Sequence, residues 1–557
     1  MICQSTFYIY PMPSLCLILA SLLLGFAWLS PFHTYPWVTF SSELATFAAA
    51  LALLTLFLNR NIHIPKLQLY ILPVVIVPLL QWSFGLVFDF SIALLSSVYL
   101  LGFWFMVVMG YNLSLQPSAR EQLMQRTCWL LLVIASVTSL MAMVQWLGLE
   151  SSLYGIMQLK GNRPYANFGQ PNNMATFLVM GLMGALYLYE KQKASVCLLA
   201  SASLVILFAI ALSQSRTSWV VCLFIFIYWI YKQFKQTPRL NVLKLSLWCI
   251  GFFAIAAWGI PAFTHAIESS TGTAVIEADS IVERASSGYL RFEIWTQMLL
   301  ALKEQPWWGY GWNQTSVAQM TVFPLHPSHE WVTSGHNVLL DILIWNGIPL
   351  GLLIIAYMAV WLLWLNKNTK DTISIIAMLM VSAILIHAML EFPQRYAYFL
   401  LPMGFLLGLI QAQTPNLKGI TLHKNVIRGC WVISLILLFM IWRDYKVYQE
   451  NSQLLFKGQQ PTAEIMGSSR ILLLSQFQQR LVWIALKPTV SMSDQDLMQW
   501  SDMVKNKATP YNLKKYAQLL VYNQKMAEAE QQLFILQQLY GEKMGLADIV
   551  ELNHSLK

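Results

Sequence analysis

The sequence predicts an all-α polytopic membrane protein with about thirteen transmembrane helices and one long extramembrane loop. Three observations predict this fold class. Of the 557 residues, 57% are hydrophobic and 11% are charged, whereas soluble domains carry about one quarter charged residues. The apolar residues form long uninterrupted runs, and lysine and arginine collect in alternate connections between these runs. A lipid bilayer is therefore the expected solvent for most of the chain.

A helix needs about 20 apolar residues to cross the hydrocarbon core. In the stretch 338–365, which is too long for one simple crossing, we expect Asn346, Gly347 and Pro349 to break the helix into an interfacial part and a crossing part. The predicted spans are 15–28, 37–58, 67–87, 91–111, 128–147, 174–189, 194–212, 218–231, 245–261, 338–365, 372–390, 398–410 and 426–442.

Charge determines the predicted orientation, because short cytoplasmic loops collect lysine and arginine. The N-terminus is then cytoplasmic, and the tail after Trp442 faces outward. The first apolar run follows an uncharged start and lacks a small-residue cleavage site, which favours a retained span over a signal peptide. The basic residues of the predicted cytoplasmic loops are Arg60, Lys66, Arg120, Arg126, Lys191, Lys193, Lys232, Lys235, Arg239, Lys244, Lys367, Lys370, Lys418, Lys424 and Arg428.

Composition also excludes several classes of function. The net charge of +9 does not indicate a nucleic-acid partner, because the cations are scattered between apolar runs. All seven cysteines lie in the N-terminal tail or inside apolar runs, and no CxxC pair occurs. This pattern argues against a disulfide framework, a thiol redox motif and a cysteine-based zinc site.

Five arginines fall in outward segments, where cations should be scarce. Each either snorkels or pairs with a local carboxylate, or it belongs to a convergent anion site. The planar guanidinium makes bidentate, charge-assisted hydrogen bonds, so arginines in four separate outward segments favour a site for phosphate or diphosphate. These residues are Arg163, Arg216, Arg284, Arg291 and Arg395.

The outward segment 161–173 packs glycines, prolines and side-chain amides around Arg163. This composition suits an ordered re-entrant loop that binds hydroxyl-rich or phosphate groups, with Gln170 and Asn172 as candidate ligands. The alternative is a turn in which Asn172 or Asn173 caps the next helix. Farther along, Arg216 stands in a tight turn at the hydrocarbon boundary, and its expected partner is a carboxylate or the phosphate of a lipid-borne substrate.

The outward connection from about 262 to 335 is much longer than the others, and such connections are usually functional or carry structure of their own. It contains Arg291, a helix-like run that ends at Lys303, and an aromatic and glycine cluster at 306–312. This cluster, which includes Trp312, resembles a platform on which sugar rings stack. An aromatic belt at the lipid headgroups is the alternative.

His326, His329 and His336 lie near Glu330, but their spacing fits no helical or finger pattern, so we predict no metal. We interpret His336 as a general base, since an imidazole titrates near neutrality and the positive end of the following helix would hold it neutral. A structural histidine at a helix N-terminus is the alternative. The adjacent Asn337 is a further candidate ligand.

His387 and Glu391 are four residues apart and share one helix face just before Arg395. They either orient Arg395 or satisfy each other, and we prefer the second explanation. Glu43 is the only clear carboxylate well inside a predicted span. Transporters place ionisable residues at the midplane and often have repeated halves, so this pattern argues against a transporter or flippase.

The order of these motifs, from about the fifth span to the twelfth, resembles that of the bacterial protein O-oligosaccharyltransferases (PglL-type), relatives of the O-antigen ligases and O-antigen polymerases. The resemblance implies a GT-C-like fold in the bacterial inner membrane. It also implies transfer of an oligosaccharide from undecaprenyl diphosphate to an exported, pilin-like protein at the periplasmic face, without metal or other cofactor. The segments that carry the resemblance are 161–173, 215–216, 289–295 with 306–312, 334–337 with 346–351, and 387–402.

On that resemblance, His336 corresponds to the essential histidine, and Arg216 and Arg291 fall where the relatives hold the lipid diphosphate. We expect Arg163 to help them. His336 would take the proton of a serine or threonine hydroxyl that attacks the anomeric carbon. The remaining candidates for contact with the donor diphosphate or glycan are Gln170, Asn172, Asn337, Arg395 and Trp312.

The tail 443–557 is polar and rich in glutamine, and its periodicity over 513–522 and 526–540 resembles a helical hairpin of the tetratricopeptide type. We predict a transmembrane catalytic domain over 1–442, with a catalytic loop at 262–337, and a periplasmic helical domain over 443–557. Such a tail favours a protein acceptor over lipid A core. O-antigen ligation, repeat-unit polymerisation and transport remain the alternatives.

Overall fold

The computed structural model describes residues 12–233, 238–271, 289–457 and 470–555. The regular secondary structure of these residues is helical, apart from one antiparallel pair of short strands, β1 (Ile62–Pro65) and β2 (Gly419–Leu422). In this pair Ile62 lies opposite Leu422.

Helices and helical turns cover every predicted span. In the N-terminal half they are α1 (Met12–Leu29), α2 (Phe40–Leu54), α3 (Lys66–Ile71), α4 (Val77–Ser83), α5 (Phe90–Leu113), α6 (Pro117–Trp146), α7 (Pro171–Glu190), α8 (Val196–Leu212), α9 (Arg216–Gln233), α10 (Val242–Ala254) and α11 (Ile260–Thr271). In the C-terminal half they are α12 (Tyr289–Glu304), α13 (Thr315–Val322), α14 (Val338–Asn368), α15 (Thr372–Ala388), α16 (Ala397–Gln411), α17 (Lys424–Lys457), α18 (Ser475–Ala485), α19 (Asp494–Asn506), α20 (Pro510–Tyr522), α21 (Met526–Tyr540) and α22 (Leu546–Ser555).

Seven stretches of the described chain are helical, long and apolar enough to cross a bilayer, and shorter apolar helices include α8, α15 and α16. This confirms the predicted class, an all-α polytopic membrane protein. The number of crossings and their orientation stay predictions. In the tail, α20 and α21 coincide with the two helices that the periodicity predicts.

Contacts divide the chain into two compact units, each assembled from separate segments of sequence. Unit 1 comprises Met1–Tyr70, Gly102–Ile281 and Trp361–Leu438. Unit 2 comprises Ile71–Leu101, Val282–Val360 and Phe439–Lys557.

Close helix packing at glycine holds unit 1 together. A Cβ at Gly408 of α16 would lie 2.1 Å from the carbonyl oxygen of Val107 in α5, and one at Gly110 would lie 2.2 Å from that of Phe405. Backbones that approach this closely leave no room for a side chain. Glu43, which is 3% exposed, accepts a hydrogen bond of 2.6 Å from the backbone N–H of Ala397 and so satisfies the N-terminus of α16.

Helix α14 in unit 2 is broken where the sequence predicts. Gly347 has φ 73° and ψ 173°, and Pro349 follows it. Only glycine adopts this backbone conformation without strain. A Cβ at Gly347 would also lie 2.3 Å from the carbonyl oxygen of Trp307.

The cluster 306–312 supplies hydrogen-bond partners for the backbone groups that this break leaves unpaired within the helix. Pro349 has no N–H to donate to Trp345, and the carbonyl of Trp345 instead accepts from Gly311 at 3.1 Å. Tyr310 donates to the carbonyl of Ile344 at 2.8 Å, and the N–H of Ile348 donates to Pro306 at 2.7 Å. The broken helix and the aromatic segment therefore satisfy each other's backbone groups.

The tail shares a hydrophobic core with the long loop in unit 2. Met320 and Phe323 at the end of α13 pack in one buried cluster with residues of α18 to α22, including Trp483 and Leu520. Ser316 donates to the backbone carbonyl of Lys505 at 2.6 Å. The loop and the tail therefore form one packed body.

Candidate functional site

The segment 161–173 is an ordered, largely buried loop, as its composition predicts. The side chain of Gln145 in α6 accepts the N–H groups of Tyr165 and Ala166, at 3.0 and 2.7 Å, and donates to the carbonyl of Ala166. Burial raises the pKa of the Tyr165 hydroxyl, which donates to the carbonyl of Gln158 at 2.8 Å. A buried glutamine thus supplies hydrogen bonds that the backbone of this loop does not make with itself.

Three of the predicted ligands, Arg163, Gln170 and Asn172, come together in unit 1. Arg163 Nε donates to the carbonyl of Ser213 at 2.9 Å, and its Nη2 donates to Asn172 Oδ1 at 3.3 Å. Asn172 Nδ2 and Gln170 Nε2 donate to the two carboxylate oxygens of Glu391, at 3.4 and 3.5 Å. The side chains that the sequence assigns to a substrate are thus oriented by one buried carboxylate.

This arrangement differs from the capping alternative. Gln170 is the N-cap of α7 and makes no side-chain capping bond, while Asn172 and Asn173 lie inside the helix. The sequence does not predict that the Glu391 carboxylate binds Gln170 and Asn172, because it shows only the spacing of Glu391 from His387. The His387 ring is buried and shares a hydrogen bond of 2.9 Å with Thr176 Oγ1, which agrees with a structural role.

Arg216 is the first residue of α9, and its side chain is exposed. The tight turn before it is held by Ser213, whose Oγ accepts from the N–H of Ser215 at 3.3 Å, while Gln214 has φ 47°. Arg163 binds the carbonyl of the same Ser213, so one turn connects the two arginines. The positive end of α9 adds to the charge of Arg216, which makes this position favourable for an anion.

Arg395 closes the short 3-10 turn Pro393–Arg395, four residues after Glu391. Its guanidinium carbon lies 5.8 Å from the centre of the Phe392 ring, at the outer limit of a cation–π contact. Arg395 is therefore in the same segment as the carboxylate that holds Gln170 and Asn172. Arg284, another of the five arginines that the sequence predicts to face outward, lies outside the described residues.

In unit 2, His336 stands two residues before the first residue of the apolar helix α14. Asn337 Oδ1 accepts the N–H groups of Leu339 and Leu340, at 3.0 and 3.2 Å, so Asn337 caps α14. His336 itself is half-buried and has φ 50°, a left-handed conformation that is uncommon for a residue with a side chain.

Helix α12 connects Arg291 to residues 334–337, the turn that carries His336. Trp295 donates from its indole Nε1 to the carbonyl of Gly335 at 2.9 Å. Arg291 lies one helical turn before Trp295 and therefore shares its face of α12. The structure thus places Arg291 on the face that holds the His336 turn.

The sequence leaves Asp341 and Glu293 without a role. Asp341 is fully buried and accepts hydrogen bonds from Ser334 Oγ at 2.5 Å, Gly335 N at 2.8 Å and Thr315 Oγ1 at 3.0 Å. Glu293 is partly exposed and lies 3.9 Å from the Nδ1 atom of His329. Within the described residues, no group of three or more His, Cys, Asp or Glu side chains is placed to hold a metal ion.

Trp312 belongs to the core of unit 2. It is 8% exposed, its ring centre lies 5.4 Å from that of Trp345, and its backbone N–H donates to Gln81 Oε1 at 2.8 Å. Trp307 and Trp308 of the same cluster are 70% and 74% exposed. Ring surface available for stacking in this segment is therefore on Trp307 and Trp308.

Three family models match the chain. The model described as O-antigen ligase matches residues 201–355, which include Arg216, Arg291 and His336. The model described as protein glycosylation ligase matches residues 164–189, the segment of Gln170 and Asn172. A third, described as the C-terminal part of a virulence factor membrane-bound polymerase, matches residues 375–551.

Two curated proteins of Acinetobacter baylyi are similar over most of the chain. Identity to a general O-oligosaccharyltransferase is 51% over 549 residues, which covers 99% of this chain and 96% of that protein. Identity to a ComP-specific O-oligosaccharyltransferase is 29% over 410 residues, or 72% of each chain.

Proposed function

The chain belongs to the bacterial O-oligosaccharyltransferases, a family of membrane glycosyltransferases, and we propose that it transfers a whole oligosaccharide from undecaprenyl diphosphate to a serine or threonine of an exported protein. The observation that carries this proposal is the 51% identity over nearly the full length of both chains. The proposed donor and acceptor rest on the resemblance and on the chemistry of the candidate residues.

In the proposed donor site, Arg216 and Arg163 bind the diphosphate. Arg216 is exposed at the N-terminus of α9, where its charge and the helix dipole both favour an anion. Gln170, Asn172 and Arg395 lie in segments joined through Glu391 and supply further polar contacts to the donor. These groups stabilise the charge that builds on the diphosphate as it leaves.

In the proposed acceptor step, His336 takes the proton from the serine or threonine hydroxyl. The hydroxyl oxygen attacks the anomeric carbon, and the bond from that carbon to the diphosphate oxygen breaks. The electron pair leaves with the diphosphate, and Arg291 contributes positive charge to its stabilisation. Asn337 follows His336 in the chain, and its side chain caps α14.

The acceptor is proposed to be a pilin-like or other exported protein, and more than one acceptor is expected. The greater similarity to the general enzyme than to the ComP-specific enzyme supports this breadth. Intact mass spectrometry of exported proteins from a deletion strain and its parent tests it. Modification of a single protein species would contradict a broad acceptor range.

The role of His336 is tested with membranes that contain labelled lipid-linked glycan and a purified pilin. His336→Ala should lower transfer by about 100-fold or more, as loss of a general base does. His326→Ala and His329→Ala are matched controls from the same loop and should keep wild-type transfer. Full activity of His336→Ala would overturn the assignment.

The O-antigen ligase match is the observation that favours a second function, ligation to lipid A core. Deletion of the tail is a poor test, because it would expose Met320 and Phe323, which pack against it. Lipopolysaccharide and exported proteins should instead be compared in the same deletion strain. Loss of glycan from proteins with unchanged lipopolysaccharide supports the protein acceptor, and the reverse supports the ligase.

The distribution of lysine and arginine supports an inner-membrane topology with a cytoplasmic N-terminus and a periplasmic tail. Reporter fusions after Asn61 and after Lys457 test this orientation. The first should be active only with a cytoplasmic reporter, and the second only with a periplasmic one. The same compartment for both fusions would contradict it.

A further inference from the structure

The histidine turn, residues 334–337, is built around one buried carboxylate. We propose that Asp341 is a positioning residue that holds His336 in its reactive orientation; this inference rests on the proposed role of His336 as the base. Asp341 lies in the first turn of α14 and is 0% exposed. It contacts the turn that carries the histidine.

The hydrogen bonds form a relay from the backbone of His336 to Asp341. The N–H of His336 donates to Ser334 Oγ at 3.2 Å, and the Ser334 hydroxyl donates to Asp341 Oδ2 at 2.5 Å. The N–H of Gly335 donates to the other oxygen, Oδ1, at 2.8 Å. One carboxylate therefore binds two consecutive residues of the turn directly and the third through a hydroxyl.

The backbone of His336 explains why such a holder is needed. At φ 50° the residue is in the left-handed region, which a residue with a side chain occupies only when its surroundings enforce it. Trp295 holds the carbonyl of Gly335 from α12, at 2.9 Å. Without the carboxylate, Ser334 and Gly335 would lose their hydrogen bonds to Asp341 and the His336 ring would change direction.

Thr315 links this carboxylate to α13. Its hydroxyl donates to Asp341 Oδ1 at 3.0 Å and accepts from the Trp345 indole Nε1 at 2.8 Å. Neither of these bonds involves Gly335 or Ser334, so Thr315 reaches the histidine turn through Asp341 and Trp345 of α14. Its substitution therefore tests the position of the carboxylate without altering the histidine turn directly.

The test measures kcat and KM for the lipid-linked donor with the full-length enzyme in nanodiscs and a purified acceptor protein. Asp341→Asn should lower kcat by about 10- to 100-fold, the effect of a small misplacement of a reacting group, with KM changed less than about twofold. The asparagine side chain has one accepting oxygen, which would be needed for Gly335 and Thr315. Its NH2 group would face Ser334, and this group cannot accept a hydrogen bond from the Ser334 hydroxyl. Thr315→Val should lower kcat less, and Thr315→Ser should restore it.

Asp371→Asn is the matched control, since Asp371 also begins a helix and accepts from Ser374 N, but lies at α15 in unit 1. It should leave kcat unchanged. Wild-type kcat for Asp341→Asn, or an equal change in kcat and KM together with a lower unfolding temperature, would overturn the positioning role.

His336→Ala measured beside these variants separates the two hypotheses. Activity retained by His336→Ala removes the base and the positioning role with it. Loss in His336→Ala with full activity in Asp341→Asn removes only the positioning role. If Asp341→Asn does not fold, the comparison of Thr315→Val with Thr315→Ser decides, and equal kcat values for these two would overturn the proposal.

Discussion

Replacement of Gly347 by alanine should strongly destabilise unit 2, because this residue lies where α14 breaks. Its φ of 73° and ψ of 173° fall in a region that costs a residue with a side chain about 1–3 kcal/mol. The new Cβ would stand 2.3 Å from the carbonyl oxygen of Trp307 and 2.8 Å from the N–H nitrogen of Trp308. Backbone cannot yield as a flexible side chain does, so the segment 306–311 must move.

That movement breaks the three hydrogen bonds by which the segment repairs α14, donated by Tyr310, Gly311 and Ile348. Each is worth about 0.5–1.5 kcal/mol net. Together with the strain, the free energy of unfolding should fall by about 2.5–7.5 kcal/mol.

Thermal unfolding of the purified protein in one detergent, followed by tryptophan fluorescence, measures this effect. Gly429→Ala in α17 is the matched control, because a Cβ there meets no atom within 4 Å. Alanine in that helix should be neutral or stabilise by about 1 kcal/mol. Equal unfolding temperatures for Gly347→Ala and Gly429→Ala would refute the reasoning.

Three other predictions concern the donor site and the tail. Arg216→Lys should raise KM for the donor about tenfold, because lysine lacks the bidentate fork of arginine. Arg239→Lys, outside the proposed donor site, is the control and should leave KM unchanged. Equal KM values for the two variants in a donor titration would contradict this. Lys515→Met should destabilise the tail by about 1–3 kcal/mol, since Lys515 donates to the carbonyls of Trp483 and Ile484 at the end of α18, and Lys514→Met at the surface should cost less than about 1 kcal/mol in the same unfolding assay. Burial and then Arg480 lower the pKa of Lys507 to about 7, so between pH 7 and about 10 the unfolded chain binds the extra proton. Stability should therefore rise with pH across that window, and Lys507→Met should flatten the pH dependence of the unfolding temperature.

Local signals in the sequence determine the helices. Apolar runs of span length became helical throughout the described chain, since a bilayer leaves no other way to satisfy the backbone. Gly347 and Pro349 predict the break in α14 because each restricts the backbone by its own chemistry. The periodicity of the tail likewise predicts α20 and α21.

Pairings over long sequence distances could not be predicted in this way. The burial of Trp312 against Trp345 depends on how segment 306–312 meets the broken helix. The Glu43 carboxylate caps a helix that begins 354 residues later in the chain. Neither contact leaves a pattern in a single sequence, because each depends on the direction in which a folded segment turns its side chains.

The same division holds for the candidate site. The sequence by itself singled out a set of arginines, which it predicts to face outward, and a histidine before an apolar helix, because charge is rare in an apolar chain and each such residue is conspicuous. Only the tertiary structure decided which carboxylates hold the candidate residues. Glu391 holds Gln170 and Asn172, and Asp341 holds the His336 turn. Hydrogen bonds are short and directional, so the choice of partner depends on packing that brings distant residues within about 3 Å.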